Sequence, residues 1–171
     1  GNVWRADRPQ RGRFRQFVQC DIDILGEPSN LAEIELILAT TAMLGKLGFK
    51  NFTVCINDRN ILKAMAAYSG FCEEDYDEVF IVLDKMDKIG IDGVKKELME
   101  MGYSEETCQK YMDLFVQIEA ADNGPAYLAD VLAAYLPAGV MDSFMEIIDS
   151  VQATKADSFE IVFDPTLVRG M

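Results

Sequence analysis

From Arg15 to Leu25 apolar and polar residues alternate: Val18, Cys20, Ile22 and Ile24 fall on one side, Phe17, Gln19, Asp21 and Asp23 on the other. Successive side chains of a strand point to opposite faces, so the pattern predicts a strand with one greasy face for a core. Its other face carries two acids, an amide and a ring. Ahead of it, residues 3 to 7 form a short mixed stretch, and Pro9 and Gly12 punctuate a loop, which together read as strand, loop, strand. A solvent-facing surface accounts for the polar side of such a strand. A pocket accounts for it equally, provided the arginines of the loop fold over the same face.

The period then changes. From Ser29 or Asn30 to about Leu47, Leu31, Ile34, Leu38, Thr41 and Leu44 recur every three or four residues, predicting a helix with a core-facing side. Glu33 suits the positive end of its dipole, and Gly48 supplies a stop. Phe52 to Asn57 is β-rich, and Asp58 is placed to cap a helix containing Ile61, Leu62, Met65 and Ala66. Glu73 to Tyr135 reads as mostly helical, interrupted near Gly90, Gly102 and Gly124-Pro125. A last helix over Val140 to Val151 precedes a closing strand from Phe159 to Phe163.

The order is strand, loop, strand, helix, strand, a long helical excursion, and strand. An α+β fold with a helical module inserted between two strands of one sheet fits this better than a regular βαβ repeat. The expected divisions are residues 1–72, a helical insertion over 73–136, and a return to the first unit over 137–171. The leucines, methionines and tyrosines of the insertion read as packing residues.

Composition narrows the function classes. The 171 residues are 50% hydrophobic, enough for a cored domain and against general disorder. The formal charge of −13 opposes binding to a nucleic-acid backbone unless the bases are gathered locally. They are gathered: Arg5, Arg8, Arg11, Arg13 and Arg15 all lie in the loop and its flanks. Cys20, Cys55, Cys72 and Cys108 are widely spaced and the chain has no histidine, so no zinc cluster is predicted and a reducing cytoplasm is the simpler setting. No apolar run approaches the roughly 20 residues of a membrane span. Neither GxxxxGK[ST] nor GxGxxG is present, so a nucleotide site would need another construction. Guanidinium forks in the basic hairpin match phosphate oxygens and offer one. The start, without an initiator Met, and the abrupt end suggest an internal piece of a longer protein, with Gly1 either an expression scar or an internal residue.

Three segments carry a resemblance. VWRADRPQRGRFRQFVQCDIDILG, Val3 to Gly26, resembles motif 2 of the class II aminoacyl-tRNA synthetases in its histidyl form. FTVCINDRNIL resembles the segment after the first helix in that family. FDPTLVRGM resembles the start of its histidine-specific signature, without the tyrosine pair that ordinarily follows. The resemblance spans nearly the whole chain in order, and the acidic helical middle contributes least to it.

The resemblance implies a partial catalytic core: an antiparallel sheet with flanking helices, with motif 2 in residues 1–72, the helical module over 73–136 and the core resumed over 137–171. Motif 1, motif 3 and the anticodon-binding domain have no counterpart in these residues. It further implies that Arg5 holds the α-phosphate and the reacting carboxylate, and that Asp7 lies near the adenine amino group, where glutamate is usual. Arg13 resembles the loop arginine reaching the γ-phosphate, and Phe17 the ring that stacks on adenine. Gln19 and Asp23 fall at positions that contact the histidine substrate. Aspartate in QCDIDI resembles the eukaryotic-type pattern where bacterial-type relatives often carry glutamate, and Val18 replaces a ring residue. Arg169 resembles the arginine that reaches the substrate carboxylate and the α-phosphate.

The implied parent activates histidine with ATP, accompanied by Mg2+, and transfers it to tRNA(His). It would be a cytoplasmic homodimer with no membrane attachment and no metal held by these residues. Joining a carboxylate to an α-phosphate needs repelling anions held together, a task for arginines without a protein nucleophile. The isolated chain is expected to be inactive, and its acidic insertion to bind tRNA weakly. A noncatalytic regulatory or interaction protein on the same core is the alternative.

Overall fold

In the computed structural model, residues 1–156 and 158–168 are described. β1 (Asn2–Trp4) and β2 (Gln16–Val18) form an antiparallel hairpin in the register Asn2↔Val18, Val3↔Phe17 and Trp4↔Gln16. The loop between them closes on itself where the Arg13 amide donates to the Gln10 carbonyl at 2.9 Å. Gly12, at φ 78°, takes the left-handed turn that this closure requires.

The alternation beyond Val18 does not become a longer strand. β2 ends at Val18, and residues 19–28 carry no strand assignment. The face expected to be greasy is open: Val18 is 71% and Ile22 49% exposed, while Phe17 and Gln19 on the opposite side are half-buried. Alternation prescribes two faces, but only a second layer buries one of them, and no described element packs over Val18.

α1 (Leu31–Lys46) forms as its period predicts and gives way to Gly48 at φ 92°. Thr41 is its only buried residue and Leu31 stays 63% exposed, so most of the apolar stripe is half-covered rather than core. The helix packs mainly against α7 (Val140–Thr154), one neighbour being too few to enclose it.

β3 (Phe52–Ile56) and β4 (Phe159–Phe163) are hydrogen-bonded neighbours despite the long excursion between them, from Phe52↔Phe159 to Ile56↔Phe163. The expected antiparallel pairing is present in β1–β2, whereas β3 and β4 run parallel, as a long crossover connection permits. The rings of Phe52 and Phe159 stack with centroids 5.6 Å apart.

α2 (Arg59–Ser69) opens on the Asp58 carboxylate, which accepts from the Asn60 amide at 2.6 Å. A 3-10 turn at Glu73–Asp75 leads into α3 (Tyr76–Leu83), α4 (Met86–Glu100), α5 (Glu105–Ala120) and α6 (Gly124–Val131). The breaks fall near the predicted glycines. Gly90 kinks α4 at φ 69°, ψ 177°, a conformation open essentially to glycine, and Gly102 follows the end of α4. Asn123 caps α6, with Pro125 in the first turn where its missing N–H costs nothing.

One continuous core joins these elements. Ile61 and Met65 of α2, Phe80 and Leu83 of α3, Leu98 of α4 and Tyr111 of α5 have no exposed surface, and Val151 of α7 and Phe159 of β4 extend the cluster. Phe71 packs edge-on against Tyr103 and Tyr111, with centroids 5.0 Å and 5.3 Å away.

Candidate functional site

Antiparallel pairing brings opposed residues and their diagonal neighbours to a common face. With Val3 opposite Phe17, the odd-numbered residues of both hairpin strands share one side, which collects Arg5, Phe17 and Gln19. The Arg5 guanidinium lies 5.2 Å from the Phe17 ring centroid, and its Nη2 donates to Gln19 Oε1 at 2.8 Å. Its backbone amide donates to the Arg15 carbonyl at 2.8 Å, fixing where the side chain departs.

The network continues beyond the strand, where Gln19 Nε2 donates to Asp21 Oδ1 at 2.6 Å. A glutamine polarised at both ends, by a cation on its oxygen and a carboxylate on its amide, is held in one orientation. Asp21 was not singled out by motif resemblance. Its signal was present in the alternation, because it follows Gln19 by two residues on the polar side.

The other hairpin residues are placed but not joined to this cluster. Asp7 takes part through its backbone carbonyl, which accepts from Arg15 Nε at 3.3 Å. Arg13 sits in the loop closure, paired with Gln10 through the backbone. Asp23 is exposed and has no hydrogen-bond or ion-pair partner among the described residues. The described ion pairs, Lys85–Glu97, Lys95–Glu105 and Lys96–Glu100, all lie in the helical body. Arg5 is therefore held by a neutral amide and a ring, which leaves its charge available to an anionic ligand.

The other two segments singled out in the sequence meet at the ends of β3 and β4. The Asp164 amide donates to the Ile56 carbonyl at 3.0 Å, and Asn57 Nδ2 donates to the Leu167 carbonyl at 3.1 Å. Asp164 Oδ1 accepts from the Thr166 hydroxyl at 2.7 Å and from its amide at 2.9 Å, turning the chain after β4. Arg169 lies outside the described residues. Among the described residues no group of three or more His, Cys, Asp or Glu side chains is arranged to hold a metal ion. No helix of the described residues is long and apolar enough to cross a membrane.

Known proteins share this sequence and fold. The chain is 44% identical over 172 residues to the histidine–tRNA ligase of Leifsonia xyli subsp. xyli, a match covering 99% of this chain and 40% of that protein. It is 39% identical over 171 residues to the histidine–tRNA ligase of Flavobacterium johnsoniae, covering 99% of this chain and 36% of the relative. The crystal structure of histidyl-tRNA synthetase from Nostoc sp. PCC 7120 superposes with a TM-score of 0.79 at 23% identity, over 99% of this chain and 39% of that one. The chain thus spans about 40% of the length of the relatives it matches. The family profile described as histidyl-tRNA synthetase matches residues 1–171, from the first hairpin to the last residue, and the chain belongs to that family.

Proposed function

We propose that the complete protein is an ATP-dependent histidine–tRNA ligase, and that the β1–β2 hairpin holds ATP and histidine on its odd-numbered face. The observation carrying this reading is the contact set of Arg5, which touches Phe17 and Gln19 at once. An adenine ring on Phe17, an α-phosphate at Arg5 and a histidine at Gln19 would then be neighbours, as adenylate formation demands.

Activation joins a histidine carboxylate oxygen to the α-phosphorus of ATP and releases pyrophosphate. Two anions must approach, and a guanidinium fork shared between them lowers that repulsion most where charge accumulates. Arg5 is assigned this role together with Arg169, and Arg13 is assigned the γ-phosphate. Asp7 is proposed to face the adenine amino group, and Asp23 the histidine side chain. Magnesium would arrive as the counter-ion of the ATP phosphates, and no described residues form a site for it.

The adenylate would be attacked by the terminal hydroxyl of tRNA(His), in a cytoplasmic homodimer. The three-part division at residues 73 and 136 is retained as a proposal, with the helical insertion carried on the catalytic core. Taken alone, the 171 residues are not expected to turn over, because activation requires every contact to be positioned together.

Pyrophosphate exchange by the full-length protein, offered each of the twenty common amino acids, tests the activity, and histidine alone should support it. Arg5→Lys and Arg169→Lys keep the charge but lose the paired donors, so each should slow exchange at saturating substrates by about tenfold or more without moving the melting temperature. Asp23→Asn should weaken histidine far more than ATP. Exchange within twofold of the unmodified protein for either arginine variant would remove that arginine from catalysis.

A further inference from the structure

A cavity of about 740 Å3 opens between α5 and α7, with Pro165 and Thr166 after β4 on its wall and none of the β1–β2 hairpin residues assigned to ATP and histidine lining it. The two helices present the same spacing to it. α5 and its exit contribute Phe115, Ile118, Glu119 and Asp122, and α7 contributes Met145, Ile148, Asp149 and Gln152. In each case two apolar side chains are followed by a carboxylate one helical step further, at the positions that share a helix face.

The floor is apolar and largely covered: Phe115 is 6%, Ile118 9%, Ile148 8% and Ile161 of β4 6% exposed. The rim is acidic. Glu119, Asp122 and Asp149 are exposed and have no hydrogen-bond or ion-pair partner among the described residues, and no lysine or arginine is among the described residues that line the cavity. Gly124 keeps the walls together, since a Cβ there would stand 2.9 Å from Ile118 Cγ2 and 3.8 Å from Phe163 Cδ1.

Three carboxylates exclude a phosphate-bearing ligand, and an apolar floor offers little to a small, fully hydrated ion. The volume lies within the roughly 300–1,000 Å3 of small-molecule sites. We propose that this cavity binds a small amphiphilic cation, an aryl or branched alkyl group against Ile118 and Ile148 with its protonated amine between Glu119 and Asp149. Apolar burial supplies attraction without direction, and the rim charges orient the ligand.

The test titrates the full-length protein with three indoles of similar size: tryptamine as the cation, N-acetyltryptamine as the neutral probe and indole-3-acetate as the anion. Tryptamine should bind saturably and more weakly as salt rises, ahead of the other two. Glu119→Gln and Asp149→Asn should each weaken it about two- to fivefold, the range for an exposed ion pair. Ile148→Trp should abolish binding by filling the floor, with the melting temperature measured alongside. If that variant fails to fold, the two charge variants, which change only exposed side chains, carry the test. Equal binding of the three probes, indifference to both charge variants, or no tryptamine binding would each overturn the proposal. The last outcome includes coverage of the cavity by another part of the full-length chain.

Discussion

Trp4 is 67% and Val18 71% exposed on the β1–β2 hairpin, whereas Ile61, Met65, Phe80 and Leu98 in the helical body have no exposed surface. The hairpin and the segment leaving it carry the described residues assigned to chemistry, and the hairpin is held by ladder bonds, one cation–ring contact and the Arg5–Gln19–Asp21 chain. The helical body carries the core and the ion pairs. Stability and candidate chemistry thus reside in different segments, and substitutions should separate them. Side chains that make no core contact are free to be selected for ligands, while core positions answer to packing.

The largest expected break in this contrast is Phe80→Ala. Emptying a fully buried aromatic site should cost about 3–5 kcal/mol in urea unfolding, against a total domain stability of about 5–15 kcal/mol. A loss below about 1 kcal/mol would mean that α3 is not part of the shared core.

Tyr111 sharpens the same side of the comparison in the opposite direction. Its hydroxyl is buried with no hydrogen-bond partner among the described residues, and burial pushes the phenol well above its ordinary value. Tyr111→Phe removes the unsatisfied group, so it should leave stability unchanged or raise it by about 1–2 kcal/mol. The pH dependence has a defined sign. A raised folded-state value gives stability that is fully present below the ordinary phenol value near 10 and is lost as pH rises toward the shifted value, by up to about 1.4 kcal/mol per unit. Burial raises Tyr76, Tyr103 and Tyr127 in the same direction, so the alkaline loss should shrink in the variant without vanishing. An unchanged alkaline limb would show that Tyr111 ionises freely.

Asp58→Ala should cost about 1 kcal/mol, because it removes the acceptor for the Asn60 amide at the start of α2. Asp58→Ser should recover most of the loss, and its failure to do so would assign Asp58 a role beyond capping. The smallest effect is expected at the hairpin. Val18→Thr should change stability by less than about 0.5 kcal/mol, since the valine is 71% exposed. A loss above about 2 kcal/mol in the full-length protein would show that another part of the chain covers this face.

Local signals were legible where residues act on their immediate neighbours. Gly48 and Gly102 occupy left-handed positions at the ends of α1 and α4, Asp58 caps α2, and the strand over Phe159 to Phe163 matches its alternation. The bend at Gly90 and the start of α6 at Gly124-Pro125 likewise follow from residue chemistry. The candidate site was half-legible. Alternation put Phe17, Gln19 and Asp21 on one side, but Arg5 joined them only through the register that sets Val3 against Phe17. Resemblance drew attention to Asp23, whereas the hydrogen-bonded carboxylate is Asp21.

Periodicity and turn chemistry therefore determined which segments are helices and strands, since both depend on backbone preferences acting over a few residues. Family membership was also legible, because motif order is a property of the chain itself. Coverage was decided in three dimensions. The Val18 face and the α1 stripe have the composition of core surfaces yet stay open or half-open, because burial depends on what packs opposite. The parallel pairing of β3 with β4 and the cavity between α5 and α7 likewise depend on segments far apart in the chain. No local pattern encodes such meetings, because the free energy that selects them comes from the whole packed body.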